Sequence, residues 1–126
     1  MPASWPEQAE THRIRALECA QTAADLATEA RQSGGERRRE LVALCDGELV
    51  NILICLEKSK QTKLPTRQWP QFAKLSREMT QEHVEYARSK LAAVSEAEDP
   101  GQRALLAEVS TLCGDVYFFL MRAGSP

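Results

Sequence analysis

Three short interruptions divide this chain into four segments of helical periodicity, and their spacing constrains the fold more than any other feature of the sequence. The first segment opens at Ser4-Trp5-Pro6-Glu7, a hydroxyl cap followed by a first-turn proline and a glutamate three residues after the serine. Ser33-Gly34-Gly35-Glu36 repeats that serine-to-glutamate spacing, Gln61 to Gln68 is polar and contains Pro65, and Asp99-Pro100-Gly101-Gln102 reads as cap, first-turn proline and N3 glutamine. Pro70 sits well only in a first turn, so a further helix starts near Trp69. Helices are therefore predicted at about 5–31, 36–60, 69–97 and 100–122. No stretch alternates apolar with polar residues and β-branched residues are sparse, so no strand signal competes. Short connections between long helices force neighbours antiparallel. The predicted fold is all-α, an up-down-up-down four-helix bundle forming one domain over residues 1–126.

The chain of 126 residues, 43% of them apolar, has room for one core and little more. At this length a fold buries roughly 65% of the surface of its unfolded chain, enough for stability without metals or disulfides. Sixteen Lys and Arg against 18 Asp and Glu leave a net charge of −2, too weak a field to imply a polyanion or a membrane surface as partner. Four scattered cysteines, no C-x-x-C pair and no charged-apolar-small leader predict reduced thiols in a cytoplasmic protein. The run from Leu49 to Leu56 is broken by Asn51 and is far too short to cross a bilayer.

A wheel at about 100° per residue gives each helix a predicted inner face. Helix 1 offers Ala16, Leu17, Ala20, Ala23, Ala24 and Ala27, small side chains that let another backbone come close. Helix 2 offers Leu41, Leu44, Cys45, Glu48, Ile52, Cys55 and Leu56; helix 3 offers Phe72, Leu75, Met79, His83, Tyr86 and Val94; helix 4 offers Leu105, Val109, Leu112, Val116 and Phe119. Cys45, Glu48, Ile52 and Cys55 follow at three, four and three residues, the spacing that points a series at the bundle axis. A rise of about 1.5 Å per residue then sets Cys19, Cys45, Glu48, His83 and Cys113 within about one turn of a common level. Thiolate, imidazole and carboxylate in one layer are ligands for Zn²⁺ or Cu(I). The competing expectation is a satisfied core: cysteines packed as small hydrophobes and His83 hydrogen-bonded to Glu48, with no cofactor.

Three family likenesses attach to these residues, and a fourth template does not fit. Leu17-Glu18-Cys19-Ala20-Gln21 and Leu44-Cys45-Asp46 resemble helix starts in the cysteine-rich four-helix-bundle copper-storage proteins, and the likeness implies Cu(I) held by interior thiols. Where that family has further thiols, this chain has Ala23, Leu26, Ile52 and Met79. Gly114-Asp115-Val116-Tyr117-Phe118 resembles the aspartate-bearing helix of the all-helical nucleotide pyrophosphohydrolases, but Leu112 stands at the position of the paired glutamate. Arg77 and His83 form an Arg-x5-His string similar to that of the helical HEPN ribonucleases, which implies RNA cleavage by that pair. On a continuous helix the two differ by about 240° in direction, so Arg77 is expected to face solvent and His83 the core. Carboxylate di-iron bundles need Glu and His three residues apart, and Thr80 fills that place before His83.

The remaining signal is surplus apolar surface. Val50 and Ile54 point away from the inner face of helix 2, and Phe118 and Met121 lie behind Val116 and Phe119 on helix 4. Such residues mark a partner or dimer surface unless Trp5 and the 61–68 connection fold over them. Arg31 with Arg37-Arg38-Arg39, and Lys58, Lys60, Lys63 and Arg67, form two basic ends without interleaved aromatic residues, which argues against nucleic acid and for solvated charge at helix ends. No catalytic residues are assigned. The sequence therefore predicts a non-enzymatic adaptor or regulatory module acting through a protein partner or homodimer. The alternatives are a soft-metal site in the core and a ribonuclease built on Arg77 and His83.

Overall fold

The computed structural model describes residues 5–123, and Ser4 and Gly124, read above as the first cap and the last stop, lie outside them. Four helices follow in order: α1 (Glu7–Gln32), α2 (Gly35–Ser59), α3 (Gln71–Val94) and α4 (Asp99–Ala123), with a 3₁₀ turn, Thr66–Gln68, in the long connection. No strand occurs among the described residues. α1 packs on α2 and α4, and α3 packs on α4 and more lightly on α2, whereas α2 and α4, like α1 and α3, barely meet and so lie on the diagonals of the bundle. The all-α four-helix architecture is the expected one, and the helix ends fall within a few residues of the expected ones.

Local chemistry explains the breaks, with two reassignments. Gly35 opens α2 at φ 55°, a left-handed backbone that a side chain would strain. Ser33 closes α1 instead of capping α2: its Oγ donates to the Glu29 carbonyl at 2.9 Å, and Gly34 stands at the α2 cap. Pro70 likewise precedes α3 as its cap.

The interior is organised around α1. Ala9, Ala16, Ala20, Ala23, Ala27 and Ala30 are all fully buried, so methyl groups make up most of the inner face of this helix, joined by Arg13 and Cys19. Helices on either side can approach closely, and the large side chains that fill the centre come from α2 (Leu41, Leu49, Ile52, Leu56) and α4 (Leu106, Val109, Val116, Leu120). The inner face of α3 is small: Ala73, Ser76, Thr80, Val84 and Ala87, followed by Leu91 and Val94. Of the stripe expected on α3, only Val94 is buried; Phe72, Leu75 and Tyr86 are exposed and Met79 and His83 half-buried. α4 is rotated by one residue from its expected face, with Leu106, Cys113 and Leu120 inside where Leu105, Leu112 and Phe119 were expected. On α2, Leu44 is exposed and Leu49 takes the interior place.

Three arginines join the core at helix ends. The last four carbonyls of any helix lack partners within it, and the helix dipole makes that end negative. Arg38 of α2, 3% exposed, donates through Nε to the Ala30 carbonyl at 2.9 Å and through Nη2 to that of Arg31 at 3.2 Å, closing the end of α1. Its Nη1 binds Asp99 Oδ1 at 2.7 Å and Gln102 Oε1 at 2.9 Å, tying in the start of α4. Arg77 of α3 closes α2, with Nη2 on the Leu56 carbonyl at 2.9 Å and Nε on Ser59 Oγ at 3.1 Å. Arg13 of α1 closes α4, with Nη1 on the Leu120 carbonyl at 2.6 Å, and pairs with Glu10. Arg38 is thus no member of a solvated face, and Arg77 points inward.

At the other end of the connection, Trp5 and Trp69 are both buried with ring centroids 5.3 Å apart, and Trp69 Nε1 donates to the Leu64 carbonyl at 3.1 Å. By length and composition α4 is the one described helix apolar enough to cross a membrane, a property that the Leu49–Leu56 run does not capture. In the bundle it is an ordinary core helix on one side and carries Phe118 and Met121, both exposed, on the other.

Two substitutions test this packing by urea unfolding. Ala23→Leu overfills the α1 face and lowers stability by roughly 1–3 kcal/mol despite the good helix propensity of leucine. Arg38→Met strands buried carbonyls at the end of α1 and costs about 3 kcal/mol.

Candidate functional site

The expected five-residue layer separates into two thiol contacts and a distant imidazole. Cys19 on α1 lies beside the Glu48 carboxylate on α2, and its pKa is pushed up to about 12, first by burial and then by that neighbour. Cys45 on α2 lies beside Cys113 on α4 across the bundle diagonal, and that contact, followed by burial, drives its pKa upward. The Cys45 thiol also donates to the Ala23 carbonyl at 3.3 Å. Burial raises the pKa of Cys55 as well. All four cysteines are free and buried, and the raised values of Cys19, Cys45 and Cys55 favour the protonated thiol, the form that neither attacks nor ligates readily.

His83 is not with them. It sits on the flank of α3 that faces α4, where Nδ1 lies 2.9 Å from the Met79 carbonyl and the ring meets Phe119 edge-on at 5.0 Å. The expected bond from His83 to Glu48 is absent because the two side chains leave their helices toward different neighbours. Among the described residues no group of three or more His, Cys, Asp or Glu is placed to hold a metal ion. The reading of Arg77 and His83 is also inverted: Arg77 is spent on the end of α2, while His83 lies half-buried against α4. Six residues along one helix keep the two guanidinium and imidazole groups on different flanks.

What the structure does assemble is an apolar groove between α3 and α4. A cavity of about 350 Å³ is lined by Phe72, Leu75, Ser76 and Met79 of α3 and by Phe118, Phe119 and Arg122 of α4. The Ser76 hydroxyl is already committed to the Phe119 carbonyl at 3.1 Å, leaving an almost wholly nonpolar surface. The Arg122 guanidinium lies 5.4 Å above the Phe118 ring. One to two turns further along, Tyr86, Lys90, Glu108 and Leu112 border a second hollow of about 330 Å³, bridged by the ion pair of Lys90 with Glu108 at 3.0 Å.

Of the four residues singled out for contact, Ile54, Phe118 and Met121 are exposed and Val50 is half-buried. Trp5 is packed against Trp69 instead of lying open. The α3 half of the groove escaped the sequence reading because Phe72, Leu75, Met79 and Tyr86 form a helical stripe that looks like a core face. The signal that separates the two is the second, smaller stripe Ala73, Thr80, Val84, Ala87 and Leu91 on the same helix. Comparison with family models, with curated proteins and with solved structures gives no match for this chain.

Linkage gives the thiols a measurable signature. A raised folded pKa means that the folded state keeps the Cys19 proton after the unfolded chain has lost it. The stabilisation is therefore complete below pH 9.0, the ordinary value, and is lost as pH rises toward about 12. Unfolding free energy measured between those limits falls with pH in the wild type, and the slope is shallower in Cys19→Ala.

Proposed function

We propose that this chain is a non-enzymatic helical-bundle module that works through protein contacts, as an adaptor or regulatory element, and that it associates with itself through the α3–α4 face. The observation that carries this reading is the exposure of large apolar side chains on α3 and α4. Phe72 and Leu75 at 44% and Phe118 at 54% line one groove, Tyr86 at 55% borders the neighbouring hollow, and Met121 at 45% lies on the outer side of α4. Single exposed apolar residues are ordinary, but a cluster of aromatic and aliphatic groups along two adjacent helices is the surface that partners cover. The chemistry of the groove favours the same reading. Its lining offers nonpolar area and shape to a docked side chain, and its nearest imidazole is turned onto a carbonyl and a phenyl ring.

Light scattering coupled to size exclusion tests this directly against the monomer mass of 14.1 kDa. The wild type rises toward twice that mass with concentration, and Phe118→Asp, with unchanged helical circular dichroism, loses about 2 kcal/mol or more of association energy, as removal of a buried aromatic anchor does. A wild type that stays at the monomer mass throughout removes the reading.

A further inference from the structure

The outer face of α4 carries a charge pattern that specifies how a second copy would sit. Asp115 and Arg122 are both exposed and neither forms an ion pair within the described residues. They are seven residues apart, so they lie almost in line along the helix, about 10 Å from each other. Midway between them stand Phe118, directed outward, and Phe119, directed at α3 and His83. Opposite charges placed evenly on either side of an aromatic centre are self-complementary under a two-fold rotation. A Cβ built at Gly114 meets nothing within 4 Å, and Thr111, one turn earlier, is exposed.

Resting on the self-association reading, we infer that two copies pack α4 against α4 in antiparallel fashion about a two-fold axis passing between Phe118 and Phe119, with Asp115 of each copy facing Arg122 of the other. Each Phe118 ring enters the partner's groove between Phe72, Leu75 and Met79. That cavity, about 350 Å³, is at the small end of the range that encloses a ligand-sized group and has room for one aromatic side chain. Arg122, which lies over its own Phe118 ring in the single chain, then also gains a carboxylate. The alternative occupant is a lysine-flanked amphipathic helix of another protein, drawn by Glu78, Glu82 and Glu85, which are exposed along the outer side of α3. A second copy is favoured because its charges match at both ends of the contact, whereas the α3 glutamates lie off the groove axis.

Sedimentation equilibrium at low salt on the charge-reversed chains tests the geometry. Asp115→Arg and Arg122→Glu each convert two attractive contacts per dimer into two repulsive ones and raise the dimer dissociation constant by about tenfold or more. The double variant restores opposite signs and returns to within about threefold of the wild type. Mixing Asp115→Arg with Arg122→Glu pairs opposite charges at both contacts, so two weakly associating proteins form a heterodimer. Thermal melts confirm that each variant remains folded. Two singles that dimerise as well as the wild type, while Phe118→Asp dissociates, leave the face intact and overturn this register. Singles and double weakened alike, with no heterodimer, also overturn it. A wild type monomeric to about 1 mM, with a lysine-flanked helical peptide bound instead, overturns both the register and the self-association on which it rests.

Discussion

The methyl-lined face of α1 is the constraint from which the rest of the bundle follows. Six fully buried alanines let α2 and α4 pack close on either side of α1, and Cys45 and Cys113 lie beside each other across that diagonal. A core this thin is filled by the leucines and valines of two helices. Little bulk is needed from the first half of α3, whose inner face is mainly alanine, serine and threonine, with Val84, Leu91 and Val94 further along. The larger apolar residues of α3 are thereby left on its flank.

Close packing also explains the buried arginines. Where helices end against one another, the last carbonyls are shut off from water but still require donors. A guanidinium supplies several donors in one plane and a positive charge at the negative end of the dipole, which offsets the cost of burying it. The chain uses this device at the ends of α1, α2 and α4, each time with an arginine from a neighbouring helix. Arg38 does more than cap, because its contacts with Asp99 and Gln102 fix the start of α4 against the junction of α1 and α2. Arg77 is held by neutral acceptors, and burial lowers its pKa from the usual arginine value.

These arrangements account for what could and could not be read from the sequence. The helix limits were legible because glycine, proline and the polar 61–68 segment act locally, through backbone conformation and missing donors. The inner face of α1 was legible because its alanines recur at one period over five turns. The face of α3 was not, because that helix carries two apolar arcs about 120° apart and hydrophobicity alone ranks the larger side chains first. Which arc turns inward depends on the space left by α1, a property of the assembled bundle. The metal layer failed by the same rotation: once His83 moves to the α4 flank, the remaining thiols and Glu48 form separate pairs. The arginine caps had a visible sign, since Arg13 falls between Ala9 and Ala16, Arg38 precedes Leu41, and Arg77 falls between Ala73 and Thr80, all on inner faces.

The exposed aromatic stripe is therefore a consequence of how the core is built and not a leftover of loose packing. A thin interior has no volume for Phe72, Leu75, Tyr86 or Phe118, and replacing them with polar residues would cost the fold little. Their presence on two adjacent helices, around a groove whose polar lining side chains are Ser76, bonded to the Phe119 carbonyl, and Arg122, is what the proposed contact with a second surface accounts for. Burial against a second surface supplies one: it removes the same area from water that the core could not take, at a place where the backbone groups are already satisfied within helices. In the proposed dimer, the even spacing of Asp115 and Arg122 about the Phe118–Phe119 pair is matched by the same pattern reversed in direction, that of a second copy.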